Sequence, residues 1–161
     1  MRNVSKLGLA LVALAIGPTQ KSAADEVLDW NAVFNQAIVN SPYISALAFR
    51  QAAIVHAAIF DALNGIERRY EPIHVTERAP RHASRRAAVV QAAYASMLDL
   101  FPPQKALLDT QLAASLAALG DGEEGDDDDD SVALGLAWGQ HVADLIWAWR
   151  SVLRFGSIRA G

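Results

Sequence analysis

The stretch that decides the fold is YISALAFRQAAIVHAAIFDALN, residues 43–64. Alanine, which has the highest intrinsic helix propensity, separates large apolar residues along most of its length. Its apolar side chains fall on nearly every side of a helix, which is typical of a helix that is buried among others. We therefore expect a central, buried helix here, with Gly65 ending it at the C-terminus.

Helical patterns continue on both sides of this stretch. Before it, residues 29–40 predict a helix with Asp29 as its N-cap, and Ser41-Pro42 separates the two helices. The apolar residues of that first helix share one face: Trp30, Val33, Phe34, Ala37 and Ile38. After the central helix, residues 66–82 contain two prolines and four arginines, which indicates a long surface connection.

Three further helices are predicted after this connection, from 83 or 84 to 101, from 103 to 118 and from 132 to 152. The last should direct these residues inward: Leu136, Val142, Leu145, Ile146 and Trp149. No stretch shows the alternation of a strand. The sequence therefore predicts an all-α fold, an irregular bundle of about five helices in one domain over 25–153, followed by an irregular tail over 154–161.

An acidic run precedes the last helix. Eight carboxylates lie between Asp121 and Asp130, and five of them are consecutive aspartates. Because like charges repel each other, we expect residues 120–131 to form a long solvated loop. Calcium binding is the alternative, since hard cations prefer oxygen ligands. Calcium loops, however, space their ligands around a glycine at a fixed turn, and this run lacks that spacing.

Residues 1–24 have the order of a secretion signal. Arg2 and Lys6 form a basic start, residues 7–16 are apolar, and Ser22-Ala23-Ala24 offers small residues for cleavage. The apolar run is shorter than the roughly 20 residues that span a bilayer. An uncleaved anchor or a buried N-terminal helix is the alternative. We expect a signal peptide over 1–24, no stable membrane span, and a secreted or periplasmic protein.

Charge and cysteine content exclude several classes of function. The chain has no cysteine, so disulfides, thiolate metal sites and cysteine nucleophiles are impossible. The net charge is −4, and removal of residues 1–24 would make it −7, because that segment holds three basic residues and no acidic ones. Such a balance argues against nucleic acid as a partner, since phosphate binding needs a basic surface.

Four polar residues of the central helix are the first candidates for chemistry: Arg50, His56, Asp61 and Asn64. At 100° per residue, Asp61 and Asn64 lie within about 40° of Arg50, whereas His56 lies about 120° away. We expect the three that share a face to tie this helix to its neighbours by hydrogen bonds. His56 should be a core histidine bonded to a carbonyl or a carboxylate. A catalytic role is the alternative.

A metal site is a further alternative. His141 and Asp144 are three residues apart on the last predicted helix and can face the same way. With His56 and Asp61 they could assemble a site, and an independent metalloenzyme using His56 and His141 is one hypothesis. Their spacing matches no zinc signature, however, so we assign no metal ligand.

Several stretches occur in an order that points to a known family. They are VLDWN at 27–31, AAIVHAAIFDALN at 52–64, Ala79-Pro80 with Ala83-Ser84 and the Tyr94 helix, Phe101-Pro102, Leu108-Asp109, Leu134-Gly135, and Val142-Ala143-Asp144 to Arg150. Together they resemble the N-terminal helical region of bacterial vanadium-dependent haloperoxidase-like proteins, in the type 2 phosphatidic acid phosphatase superfamily. The resemblance covers about residues 25–150.

This resemblance implies that the chain lacks the family's chemistry. Members bind vanadate or phosphate in a later helical half, with a lysine, an Arg-Pro pair, a Pro-Ser-Gly-His stretch, and an arginine with a histidine beyond it. Neither Arg-Pro nor Pro-Ser-Gly-His occurs here, and no arginine follows Lys105 at the family's distance. The four polar residues match the family's helix but lie outside its oxyanion pocket. No catalytic or cofactor-binding residue is carried over, and vanadate would belong to the intact family.

Two functions remain as expectations. The first is a truncated, inactive haloperoxidase-like protein, from a truncated or frame-shifted gene or from a chain that kept only the helical cap, since residues 151–161 follow where the family usually continues with Asp-Gly and further sequence. The intact family would oxidise halide with hydrogen peroxide or hydrolyse phosphomonoesters. The second is a secreted binding or assembly module whose uncovered apolar faces pair with another chain, with Trp138, Trp147 and Trp149 as contacts.

Overall fold

The computed structural model describes residues 22–42, 47–120 and 129–151. These residues form five α-helices and no strand, so the prediction of an all-α, irregular five-helix bundle is confirmed. The helices are α1 (Ala23–Val39), α2 (Leu47–Glu67), α3 (Arg85–Leu100), α4 (Lys105–Gly120) and α5 (Asp129–Ser151), and a 3₁₀ turn at Pro102–Gln104 precedes α4. None of the helices in these ranges is long and apolar enough to cross a membrane.

Helix α1 begins at Ala23, so the prediction of Asp29 as its N-cap is wrong. Ser22 is the N-cap, and its hydroxyl accepts the Asp25 backbone N–H at 3.4 Å. In return the Asp25 carboxylate accepts the Ser22 N–H at 2.8 Å, which completes a capping box. Signal cleavage after Ala24 stays a prediction, and the rest of that segment lies outside the described residues.

The helix at the centre of the bundle is α3, which packs against all four other helices. Its residues Ala87 to Val90, Ala92 and Ala93 are all fully buried. Helix α2 begins with Leu47 and Phe49, which are 42% and 82% exposed. The expectation that α2 is the central helix is therefore wrong. Small side chains on α3 let neighbouring helices approach closely, and this places α3 in the middle.

Two glycines of α5 produce the closest of these approaches. A Cβ atom at Gly135 would lie 2.5 Å from the Ser84 carbonyl oxygen, and one at Gly139 would lie 2.4 Å from that of Ala88. Because both obstacles are backbone atoms of α3 or its N-cap, no side-chain movement could make room. Ser84 also donates its backbone N–H to the Ser131 carbonyl at 2.9 Å, so the start of α5 is tied to the start of α3.

Helix α2 continues through Gly65 to Glu67, so the prediction that Gly65 ends it is wrong. A Cβ at Gly65 would lie 2.4 Å from Cζ2 of Trp138, whose indole N–H donates to the Ala62 carbonyl at 2.8 Å. Glycine is therefore needed here for packing. The helix ends at Glu67, and the next residue, Arg68, has a left-handed φ of 55° and donates its N–H to the Asn64 carbonyl at 2.7 Å.

The core has two clusters that share the helices α2 and α3. One joins α2, α3 and α5 and includes Ile54, Trp138, Val142 and Ile146. The other joins α1, α2, α3 and α4 and includes these residues: Trp30, Phe34, Ala37, Ile59, Met97, Phe101 and Leu108. The predicted stripe of α1 is confirmed, since its residues belong to this second cluster or pack against it. On α5, Val142 and Ile146 are buried, and Leu136, Leu145 and Trp149 are half-buried.

Helix boundaries in the second half differ from the predictions by a few residues. The sequence predicts that α3 starts at residue 83 or 84, and in the structure Ser84 is its N-cap. The Ser84 hydroxyl accepts the Ala87 N–H at 3.2 Å. The predicted loop over 120–131 is too long, because Gly120 is still helical and α5 already begins at Asp129. Carboxylates in the first turn of a helix interact favourably with its dipole. The remaining acidic residues, 121–128, lie outside the described ranges.

Candidate functional site

The polar residues of α2 hold the connection between α2 and α3, residues 68–84. The Asp61 carboxylate accepts three consecutive backbone N–H groups, from Ile73 at 2.7 Å and from His74 and Val75 at 2.8 Å each. It is 1% exposed. Hydrogen bonds to an ionised acceptor are the strong ones, so a buried carboxylate with three N–H donors anchors this connection.

Two more residues on that side of α2 act in the same way. Asn64 donates to the Tyr70 carbonyl at 2.8 Å and accepts the Tyr70 N–H at 2.9 Å. Arg50 donates from Nη2 to the Arg150 carbonyl at 2.7 Å, which ties α2 to the last turn of α5. Arg50, Asp61 and Asn64 thus bond to backbone groups of other elements, and none of these hydrogen bonds joins two of them into a catalytic pair.

His56 lies on a different side of α2 from these three and is exposed. The expectation of a core histidine is therefore wrong. Helical periodicity predicts that His56 points away from Arg50 and Asp61, but it cannot predict which sides of a helix are covered by neighbours. Within the ranges that the structure describes, no neighbouring helix covers the side that His56 occupies.

The second pair of candidates is separated as well. His141 Nε2 lies 2.7 Å from the Glu77 carboxylate, and Asp144 accepts a hydrogen bond from Gln140 at 2.7 Å. Within the described ranges, no three histidine, aspartate or glutamate side chains lie close enough together to hold a metal ion. The four residues considered for a metal site are thus not brought together.

Aromatic and cationic side chains cover the end of α5, a feature that the sequence reasoning missed. His74 stacks on Trp149 with a ring separation of 4.4 Å and an interplanar angle of 7°. The Arg150 guanidinium lies 4.0 Å from the centre of the Trp149 ring, in cation–π geometry. Trp149 therefore holds the connection against α5. The sequence gives no direct signal for this pairing, because His74 lies in a segment without periodicity.

A buried ion pair joins the first helix to the centre of the bundle. Arg86 Nη2 lies 3.0 Å from the Glu26 carboxylate, which is fully buried, and the same nitrogen donates to the Ala118 carbonyl at 3.0 Å. This one guanidinium links α1, α3 and α4. The two charges are far apart in the chain, so local pattern analysis could not pair them.

A smaller polar group links α3 to α4. The Tyr94 hydroxyl donates to Asp109 at 2.8 Å, and Lys105 donates to the same carboxylate at 2.6 Å. The Lys105 ammonium and the Tyr94 hydroxyl lower the pKa of Asp109, and burial raises the pKa of Tyr94. Burial, together with the nearby Asp144 carboxylate, raises the pKa of Asp99. The contacts of Asp109 with Tyr94 and Lys105 thus serve to join α3 to α4.

An open cleft lies between α1 and α4, with a cavity volume of about 440 Å³. Its lining residues are Asp29, Ala32, Val33, Gln36, Leu107, Gln111, Ala114 and Ser115. The volume is within the range of small-molecule sites, but such sites are usually enclosed and have convergent polar groups. Here Gln111 and Ser115 already bond to each other at 3.2 Å. We therefore regard the cleft as a weaker candidate than the surface described next.

One side of α2 exposes an apolar surface. Phe49, Ala53, His56 and Phe60 fall within about 60° of one another around the helix axis, and we call these four residues the α2 stripe. Phe49 is 82% exposed, Ala53 and His56 are exposed, and Phe60 is half-buried. Tyr70 is 68% exposed and extends the surface, since its ring lies 6.1 Å from that of Phe60. Contiguous exposed apolar surface of this kind marks interaction sites.

Comparison with known proteins does not assign the chain. No protein-family model matches it, and searches of curated proteins and of solved structures gave no match either. The likeness to haloperoxidase-like proteins therefore stays a prediction from the sequence.

Proposed function

We propose that the chain is a non-catalytic helical module that works by pairing with another polypeptide, and that it corresponds to the N-terminal helical region of a haloperoxidase-like protein. The observation that carries the proposal is the exposed α2 stripe, with Phe49 82% exposed. Covering an exposed phenyl ring with another surface is favourable, and a contiguous exposed apolar surface marks an interaction site. A secreted or periplasmic location is part of the proposal.

The contacts of the cationic and polar residues support the non-catalytic part. An oxyanion cofactor needs several fixed cations and donors directed at one point. Arg50 instead bonds to the Arg150 carbonyl, and Arg86 bonds to Glu26 and the Ala118 carbonyl. Neither of these two guanidiniums is therefore directed at an oxyanion site, and halide oxidation through vanadate, or phosphomonoester hydrolysis, would need cations from elsewhere.

Vanadate binding tests the non-catalytic part. Purified protein is dialysed against vanadate at equilibrium and assayed for halide oxidation and for phosphomonoesterase activity. We expect no saturable vanadate uptake and no turnover. Stoichiometric vanadate binding by the isolated chain would overturn this part of the proposal.

Site-specific photo-crosslinking tests the pairing. A benzophenone amino acid replaces Phe49 in the protein expressed in its own host, and a matched variant carries the same group at Thr110, an exposed position on α4. We expect one defined adduct from position 49 and none from position 110, identified by mass spectrometry. If position 49 gives no adduct, or if both positions give the same adducts, the module proposal is wrong.

A further inference from the structure

The α2 stripe has a spacing that is the same from either end. Ala53 follows Phe49 by four residues, His56 follows by three, and Phe60 by four more, with a phenyl ring at each end. A two-fold axis perpendicular to α2 would place a second copy of the helix antiparallel to the first, and each residue would then meet its counterpart from the other end. The stripe is therefore complementary to itself.

We infer that the polypeptide which covers the stripe is a second copy of this chain, packed antiparallel α2 against α2. This inference rests on the proposed function. In this arrangement Phe49 meets the partner's Phe60 at both ends, and the small Ala53 meets the partner's His56 on either side of the axis. Large residues contact each other at the ends, and a small residue makes room for the imidazole near the centre.

The charges around the stripe favour this pairing. None of its four residues carries a fixed charge, so two copies can approach without repulsion between like charges. The nearest charged side chains on α2 point into the protein's own structure. Arg50 bonds to the Arg150 carbonyl, and Asp61 is buried under the backbone N–H groups of residues 73–75.

The exposed area is sufficient for a weak specific dimer. Aromatic side chains present about 150–250 Å² each, so the exposed parts of Phe49 and Tyr70 amount to roughly 300 Å² in one protomer. With Ala53, His56 and Phe60 the surface reaches about 500 Å², and two copies would bury on the order of 1,000 Å². That value lies at the lower limit of specific interfaces. The dimer should therefore dissociate on dilution.

Sedimentation velocity across a concentration series is the first test. Wild-type protein should change from monomer to dimer as its concentration rises. Phe49→Glu should raise the dimer dissociation constant about tenfold or more, because it places a carboxylate in each half of the contact. Its fold should persist, since Phe49 is 82% exposed, and far-UV circular dichroism checks this. A wild-type protein that stays monomeric, or a dimer that Phe49→Glu leaves intact, would overturn the inference.

A single thiol provides the second test, because the natural chain has none. Two copies of Ala53→Cys would place their thiols about 4–5 Å apart along the helix axis, on either side of the two-fold axis. A short bismaleimide should therefore join them into a covalent dimer. The matched variant Ala113→Cys, exposed on α4, should stay monomeric. Equal cross-linking of both variants would contradict the inference.

The two proposals can fail separately. If photo-crosslinking in the host joins position 49 to a different polypeptide, and purified protein is monomeric, the second-copy inference is wrong while the module proposal stands. If position 49 gives no adduct in the host and purified protein is monomeric, both are wrong.

Discussion

At the scale of single residues, His82 is in an unfavourable backbone conformation that glycine would relieve. Its φ is 65°, in the left-handed region, and it is the third residue of a turn closed by a 3.3 Å bond from the Ala83 N–H to the Pro80 carbonyl. The side chain is exposed. His82→Gly should therefore raise the free energy of unfolding by about 0.5–1 kcal/mol, as measured by urea denaturation.

The neighbouring residue gives the control for this prediction. Arg81 is also exposed but does not have a positive φ, so Arg81→Gly should lower the free energy of unfolding by some tenths of a kcal/mol through chain entropy alone. If both substitutions destabilise the protein equally, the conformation assigned to His82 is wrong.

Replacing Gly65 by alanine should have the opposite effect on stability to the one expected for most helical glycines. In an open site, Gly→Ala in a helix would add about 0.5–1 kcal/mol of stability. Here the new methyl group would lie 2.4 Å from the Trp138 ring, which its bond to Ala62 holds in place. Gly65→Ala should instead destabilise the protein by about 1–3 kcal/mol and shift the tryptophan fluorescence. A gain in stability would show that Trp138 moves freely.

Individual residues show where the sequence was sufficient and where it was not. The helical period predicts that Arg50, Asp61 and Asn64 share a side of α2 from which His56 is excluded. It does not predict that His56 is exposed, because that depends on how distant helices pack. Ser22 had a visible signal, the Ser-x-x-Asp pattern of a capping box, but the small residues around it also fit a cleavage site.

At the scale of elements, the connection between α2 and α3 depends on Asp61. Asp61→Asn removes the charge that its three backbone donors interact with, and it replaces one acceptor oxygen by a donor group. We expect a loss of about 2–3 kcal/mol in the free energy of unfolding, and faster hydrogen exchange at residues 73–75. Asp144→Asn, on the exposed face of α5, should change stability by less than about 0.5 kcal/mol. If the two variants are equally stable, Asp61 does not anchor the connection.

The existence of each helix was predictable, but its place in the bundle was not. Prolines, caps and apolar periods predict five helices, and five are found in the described ranges. Helices α2 and α3 are both rich in alanine, so composition could not tell which of them is central. The prediction that Gly65 ends α2 is wrong for a similar reason. Gly65 suggests a helix end, yet it is required by Trp138, which lies far away in the sequence.

At the scale of the whole molecule, α3 contributes to both core clusters, as α2 does, and it also packs against each of the other four described helices, so it should be the most stable part of the structure. Its opening would expose both clusters, whereas opening of α1 or α4 would expose only one. Native-state hydrogen exchange should therefore give the highest free energies of opening for amides of α3, and lower ones for α1 and α4, beside the open cleft. Uniform protection across all five helices would contradict this order.

The candidate interaction surface also belongs to this scale, and the sequence did not locate it. A helix that is apolar on nearly every side fits a buried position and an uncovered one equally well. Only the arrangement of the other helices shows that Phe49 and Ala53 lie on a side that none of the described helices covers. Trp138, which we expected as a contact for another chain, is 5% exposed and fills the core instead.

The glycine contacts of α5 belong to a longer ridge of small residues, Ser131, Gly135, Gly139 and Ala143, all buried and four apart. Such a ridge repeats itself, so sliding α5 along α3 by one turn would present almost the same profile. The fit of these small residues against α3 therefore barely distinguishes one register of the two helices from the next. The hydrogen bonds from Ser84 to Ser131 and from Trp138 to Ala62 select one register of α5 on α3. Inserting four residues before α5 would test whether these bonds still hold the helix in that register.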